Sequence, residues 1–110
     1  MSVFEKWSSA IDARNADGLI ECLHADFVFV RHQSGTTMNK SQMSEMLKVF
    51  MASESVQVLS QRCLYENSEV LAEHSVMDFA DGTRESILSF HHLKDGLIVH
   101  TETGATLVSK

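Results

Sequence analysis

The sequence predicts an α+β fold in which a curved antiparallel β-sheet wraps around three helices, and three observations carry that expectation. Apolar residues recur at helical spacing at Trp7, Ala10 and Ile11, and again at Met43, Met46, Leu47 and Phe50. Beyond Ser53 the apolar period changes from about 3.6 residues to about 2. The turn sequences Glu66-Asn67-Ser68, Ala80-Asp81-Gly82 and Lys94-Asp95-Gly96 then divide the second half into alternating segments.

Each element follows in order. Helix one covers Ser2 to Ala13. Asp17 is the expected N-cap of a short second helix reaching Leu23, with Leu19, Cys22 and Leu23 on its apolar side. Phe27-Val28-Phe29-Val30 is a buried strand that ends in charge at Arg31-His32, and Gln33 to Asn39 is a loop turning at Gly35. The third helix starts near Ser41. Four strands follow, Val56 to Tyr65, Val70 to Phe79, Arg84 to Leu93 and Leu97 to Leu107. The order α-α-β-α-β-β-β-β lays helices down early and closes with a meander.

Composition narrows the function classes. A chain of 110 residues without proline, repeat or low-complexity segment is expected to form a single domain, 1–110. With 44% hydrophobic and 22% charged residues, disorder is excluded as the default. A net charge of -6 with 9 Lys+Arg argues against nucleic acid as a partner. No apolar run approaches the ~20 residues that span a bilayer, so no membrane partner is expected. The start, MSVFEKW, lacks the basic-then-apolar pattern of an export signal, and Cys22 and Cys63 read as buried thiols. The expectation is a soluble cytoplasmic protein.

Trp7 to Asp17, Leu23-His24-Ala25-Asp26-Phe27-Val28, and the hairpin from Phe90 through Lys94-Asp95-Gly96 to Val99 together resemble the nuclear-transport-factor-2-like superfamily, in particular its SnoaL-like and ketosteroid-isomerase-like domains. The resemblance spans nearly the whole chain. It implies a cone-shaped, cystatin-like/SnoaL-like roll that holds a small apolar ligand and pairs as a homodimer through the outer sheet face. The ketosteroid isomerase pattern has a helix-one tyrosine and a protonated aspartate as oxyanion donors, with a second aspartate as base. Here Trp7 stands for the tyrosine, Arg31 or His32 for the base, and His91 or Ser89 for the other aspartate. None is an identity, so that particular chemistry is not expected, although the pocket is.

Strand parity selects the lining. A three-residue Ala80-Asp81-Gly82 turn pairs Phe79 with Thr83, sets Glu73 opposite Ser89 and turns His91 toward the cone; a two-residue turn would turn His91 toward His74. Under the first register Trp7, Glu73, Ser75, Ser89, His91, Thr101 and Thr103 line the cone, with Arg31 or His32 at its mouth. Burial disfavours the charged form of a carboxylate flanked by Leu71 and Met77 unless it is paired. A histidine in reach exchanges protons near neutral pH. The catalytic candidates are therefore His91 or His32 as base and Glu73 as partner. Trp7, Arg31, Ser75, Ser89, Thr101 and Thr103 are the ligand-binding candidates. The competing reading makes Glu73 a solvated strand-edge residue and His91 a structural histidine.

His91 and His92 point to opposite faces and cannot share one ion, so no metal is expected. His24 is read as capping carbonyls at a helix end, and His100 and Glu102 as outer-face residues. Met43, Met46, Met51 and Met77 read as core filler that would suit an adaptable ligand site if they line the cavity. There is no G-x-S-x-G elbow, P-loop or dinucleotide fingerprint, and no cofactor is expected. Two functions remain: proton transfer on a carbonyl-type ligand (isomerase, cyclase or dehydratase chemistry), or a non-catalytic ligand-binding or assembly domain.

Overall fold

In the computed structural model, which describes residues 1–110, helix α1 (Val3–Asp12) opens on a capping box. The Glu5 N–H donates to the Ser2 hydroxyl, and the Ser2 N–H donates back to the Glu5 carboxylate. The Glu66 carboxylate accepts from the N–H groups of Val3 and Phe4 at 3.0 and 3.1 Å, tying this helix end to the sheet. Val3, Trp7 and Ala10 form the buried stripe. After α1 the backbone of Arg14 enters the left-handed region, with φ 52. From there its guanidinium donates to the carbonyls of Phe50, Met51, Ser53 and Val56 at 2.6–3.1 Å. It thereby satisfies acceptors left over at the end of α3 (Lys40–Ala52).

Helix α2 (Ala16–Glu21) is capped by Asn15, not Asp17. Asn15 is extended after the left-handed Arg14, so its Oδ1 accepts from the Gly18 N–H at 3.1 Å, while Asp17 lies inside the first turn. The helix ends sooner than its apolar pattern implies. The Cys22 carbonyl accepts from the Ile98 N–H at 2.8 Å, and β1 (Leu23–Arg31) starts there rather than at Phe27. The segment expected as a loop contains a short edge strand, β2 (Thr36–Asn39), antiparallel to β1. Four polar-rich residues are too few to display a period. Asn39 and Gln42 form a second capping box for α3, whose Met43, Leu47 and Met51 are buried.

Strands β3 (Gln57–Glu66), β4 (Val70–Asp78), β5 (Arg84–Lys94) and β6 (Leu97–Leu107) form the meander. The six-stranded sheet runs β2-β1-β6-β5-β4-β3. Every neighbouring pair is antiparallel except β1 and β6, which run parallel, so the sheet is mixed rather than wholly antiparallel. The helices pack on its concave face, where Leu19, Leu23, Phe27, Leu71 and Ile98 are the largest fully buried side chains. No helix is long and apolar enough to cross a membrane.

The β4–β5 turn fixes which residues face inward. Gly82 takes φ 87, a conformation few other residues adopt, and the Phe79 N–H donates to the Thr83 carbonyl at 2.9 Å. Glu73 consequently pairs with Ser89, and Leu71 with His91. The two-residue alternative, with His91 beside His74, is excluded. At the same end, Arg84 donates to both Asp78 oxygens at 2.7 and 3.1 Å, which holds the Asp78 carboxyl below its ordinary pKa.

Candidate functional site

Between α1, α3 and the concave sheet face lies a cavity of about 150 Å³. Its wall is largely apolar, with Ile11, Phe27, Phe29, Met43, Met46, Phe50, Met51, Met77 and Phe79 among the lining residues. The methionines thus fill space and line the cavity at once. Into this wall the strands insert a polar row: Glu73 and Ser75 from β4, Ser89 and His91 from β5, Thr101 and Thr103 from β6, all buried except the half-buried Ser89. Period-two alternation on three paired strands accounts for the row.

Its centre is a buried dyad. His91 Nε2 lies 2.6 Å from Glu73 Oε2, and His91 Nδ1 lies 2.6 Å from the Thr101 hydroxyl. Glu73, His91 and Thr101 are 4%, 3% and 4% exposed, so water does not screen these contacts. With Glu73 ionised, the Nε2–H donates to it. A neutral imidazole then accepts the Thr101 O–H at Nδ1, and an imidazolium donates to the Thr101 oxygen instead. The hydroxyl therefore serves both protonation states without moving. Trp7 closes the back of the ring, with centroids 6.3 Å apart and a 54° tilt.

Both ring nitrogens of His91 are engaged, whereas Glu73 Oε1 makes no hydrogen bond and is not sealed from the cavity. The atom presented to a bound molecule is thus a carboxylate oxygen, with the histidine behind it.

Toward the outer end, Arg31 Nη2 donates to both Glu85 oxygens at 3.0 and 3.2 Å, and its guanidinium carbon sits 6.0 Å from the Phe79 ring centre. Glu85 is 5% exposed and was not singled out in the sequence, although it shares the parity of Ser89 and His91. The same alternation that placed those two residues inward would have found it.

Of the two residues considered for the mouth, Arg31 lines the cavity and His32 does not. His32 stands on the outer face, its side chain 60% exposed, with Nε2 2.8 Å from Glu102 Oε1. Alternation along β1 turns it away from any ligand in the cone, so its assignment as a base is corrected. The His32 imidazole, with His100 and His92 nearby, holds the Glu102 carboxyl below its usual range. His24 is likewise not a helix cap. It sits in β1, and its Nδ1 accepts from the Asp26 N–H at 3.0 Å. Cys22 is buried but Cys63 is exposed, because β3 is an edge strand. Trp7, Ser75, Ser89, Thr101 and Thr103 all line the cavity.

This architecture defines an α+β pocket protein of the nuclear-transport-factor-2-like type. Residues 4–101 match the SnoaL-like domain family, and the chain belongs to it. No protein of the curated set matches the sequence. Among solved structures it is similar to a Cytophaga hutchinsonii protein described as NTF2-like and of unknown function (TM-score 0.76, 10% identity, 94% of this chain and 87% of that one). A steroid delta-isomerase from Pseudomonas aeruginosa is similar at TM-score 0.71 and 18% identity, over 94% of this chain and 77% of that one. IdmH from Streptomyces antibioticus, described as a candidate polyketide cyclase, is similar at TM-score 0.72 and 15% identity, over 94% and 88%. These identities carry the fold and not the reaction.

Proposed function

We propose that the protein binds a small, largely apolar carbonyl compound in the cone and transfers a proton at the carbon next to its carbonyl, with Glu73 as the base. One observation carries this reading: Glu73 Oε1 is free toward an apolar cavity while Oε2 is held by His91. In that step Glu73 Oε1 takes the proton, and the C–H electron pair moves into the carbonyl to give an enolate. The Trp7 Nε1–H and the hydroxyls of Ser75, Ser89 and Thr103 line the same cavity as hydrogen-bond donors for the enolate oxygen. The proton returns to the same carbon or to a conjugated one, which is the element common to isomerase, cyclase and dehydratase chemistry. The His91 Nε2–H, donating to Oε2, holds the carboxyl group in place while Oε1 carries the proton.

A second reading rests on the same dyad. A saturated, buried His91 also suits a non-catalytic ligand-binding domain, with Glu73 and His91 satisfying one another. A homodimer through the outer sheet face accompanies both readings, supported by the exposed Leu88 and Phe90 on that face. A cytoplasmic location is supported by two free cysteines.

The only tryptophan lines the cavity, so ligand entry is readable by its fluorescence. A cavity of about 150 Å³ accepts a ring of about benzene's size. Cyclohexanone and cyclohex-2-enone are therefore expected to change Trp7 emission saturably. In D2O the protein should catalyse deuterium exchange at their α-carbons, followed by NMR. Glu73→Gln should keep binding and lose exchange by about 100-fold or more. Binding without exchange establishes the non-catalytic reading. Unchanged exchange in Glu73→Gln, or no effect on Trp7, overturns the proposal.

A further inference from the structure

The convex face of the sheet holds a second cluster that the cone does not use. His92 on β5 pairs directly across the ladder with His100 on β6, and Glu102 follows His100 two residues on, on the same face. One potential ligand atom from each of these three residues lies within 4.8 Å of the other two. The His92 and His100 rings are 5.6 Å apart. An independent observation points to a missing partner. His100 Nδ1 is the one buried side-chain nitrogen or oxygen without a hydrogen bond, and it stands 3.8 Å from Glu102 Oε2. The other Glu102 oxygen, Oε1, is already engaged by His32 Nε2 at 2.8 Å, which orients the carboxylate and leaves Oε2 available.

We infer that His92, His100 and Glu102 form a binding site for a divalent transition-metal ion of the zinc type. Two imidazoles and one carboxylate suit zinc and its neighbours, whereas calcium and magnesium prefer all-oxygen shells. Tetrahedral zinc with bonds of about 2.0–2.1 Å places its donors about 3.4 Å apart, so His100 Nδ1 and Glu102 Oε2 need to close by less than about half an ångström. The His92 donor, within 4.8 Å of the other two, needs to close by up to about 1.4 Å, which side-chain rotation supplies because His92 is exposed in the single chain. Three protein donors leave one coordination position open to water. His32 is a positioning residue: it holds the carboxylate and does not itself ligate. The site lies on the opposite side of the sheet from Glu73 and His91, so it stands or falls independently of the proton-transfer proposal.

The test is a zinc chloride titration against a competing fluorescent chelator, in a Cys63→Ser background that removes the exposed thiol. One zinc per chain is expected at micromolar affinity or tighter, with no competition from calcium. His100→Ala and the isosteric Glu102→Gln should each weaken binding at least tenfold, and His32→Ala by about tenfold through the loosened carboxylate. His24→Ala, outside the cluster, should leave zinc binding unchanged. Long-range proton–nitrogen NMR of the chain with its cluster intact should identify Nδ1 of His100 as a ligated nitrogen, a readout independent of whether any variant folds. Absence of saturable uptake at millimolar zinc, uptake indifferent to His100→Ala and Glu102→Gln, or one zinc per two chains overturns the inference.

Discussion

Replacing Glu73 by Leu, His91 by Phe, and both together separates a desolvated pair from two independent polar residues. In Glu73→Leu the His91 Nε2 loses its acceptor at a site 3% exposed. In His91→Phe the Glu73 carboxylate is left among Leu71, Met77 and the apolar wall without a donor. Removing one side of a buried ion pair typically costs about 3–5 kcal/mol. The adjoining cavity, about 150 Å³, gives Glu73 Oε1 some access to water, which places both single variants near the lower figure. Each single variant should therefore lose about 3 kcal/mol of the 5–15 kcal/mol typical of native stability. The double variant exposes no orphan at this contact, and the Thr101 hydroxyl loses its histidine in both His91→Phe backgrounds, so that cost cancels in the cycle. Its loss should stay near that of a single variant, giving a coupling of about 3 kcal/mol where independent sites add to within about 0.5 kcal/mol. Urea denaturation monitored by Trp7 fluorescence and by circular dichroism measures all four corners. Additivity within that limit would refute the claim that these side chains act as one buried unit.

Arg14→Met keeps the aliphatic stem but removes four hydrogen bonds to carbonyls at the end of α3 and beyond; with those acceptors partly open to water, a loss of about 2–3 kcal/mol is expected in urea unfolding, and an unchanged midpoint would deny the clamp its role. The Asp78–Arg84 pair depresses the Asp78 pKa, so its stabilisation is fully present above the ordinary carboxylate value of about 3.9 and is lost as pH falls through the lower folded value. Asp78→Asn should accordingly flatten that part of the acid dependence of stability, and parallel pH curves for the two proteins would count against it.

The inward row of β4 and β5 was legible because one turn decides it. Ala80-Asp81-Gly82 with a left-handed glycine sets Glu73 opposite Ser89, and alternation does the rest. The choice between Arg31 and His32 was not legible. It depends on an irregularity between Leu23 and Val28 in the pairing of β1 with β6, which no local pattern announces. The start of β1 was missed for a related reason: Leu23 is apolar in either state, and a bond from the distant Ile98 ends the helix. Strand β2 is too short to carry a period, and its partner rather than its composition makes it a strand. The outer histidines were read along the chain, where His91 and His92 diverge. Cross-strand pairing, which joins His92 to His100, is the dimension a linear reading lacks.

The parallel seam between β1 and β6 has a kinetic consequence. Leu23 meets Ile98, and Arg31 meets Thr103, across about 70 residues of intervening chain, a long loop to close before any contact rewards it. The hairpins of the meander can form locally, but the first strand has to wait for the last. Refolding should therefore be slow for a chain of this size, and during synthesis the hollow stays open until the final strand has left the ribosome.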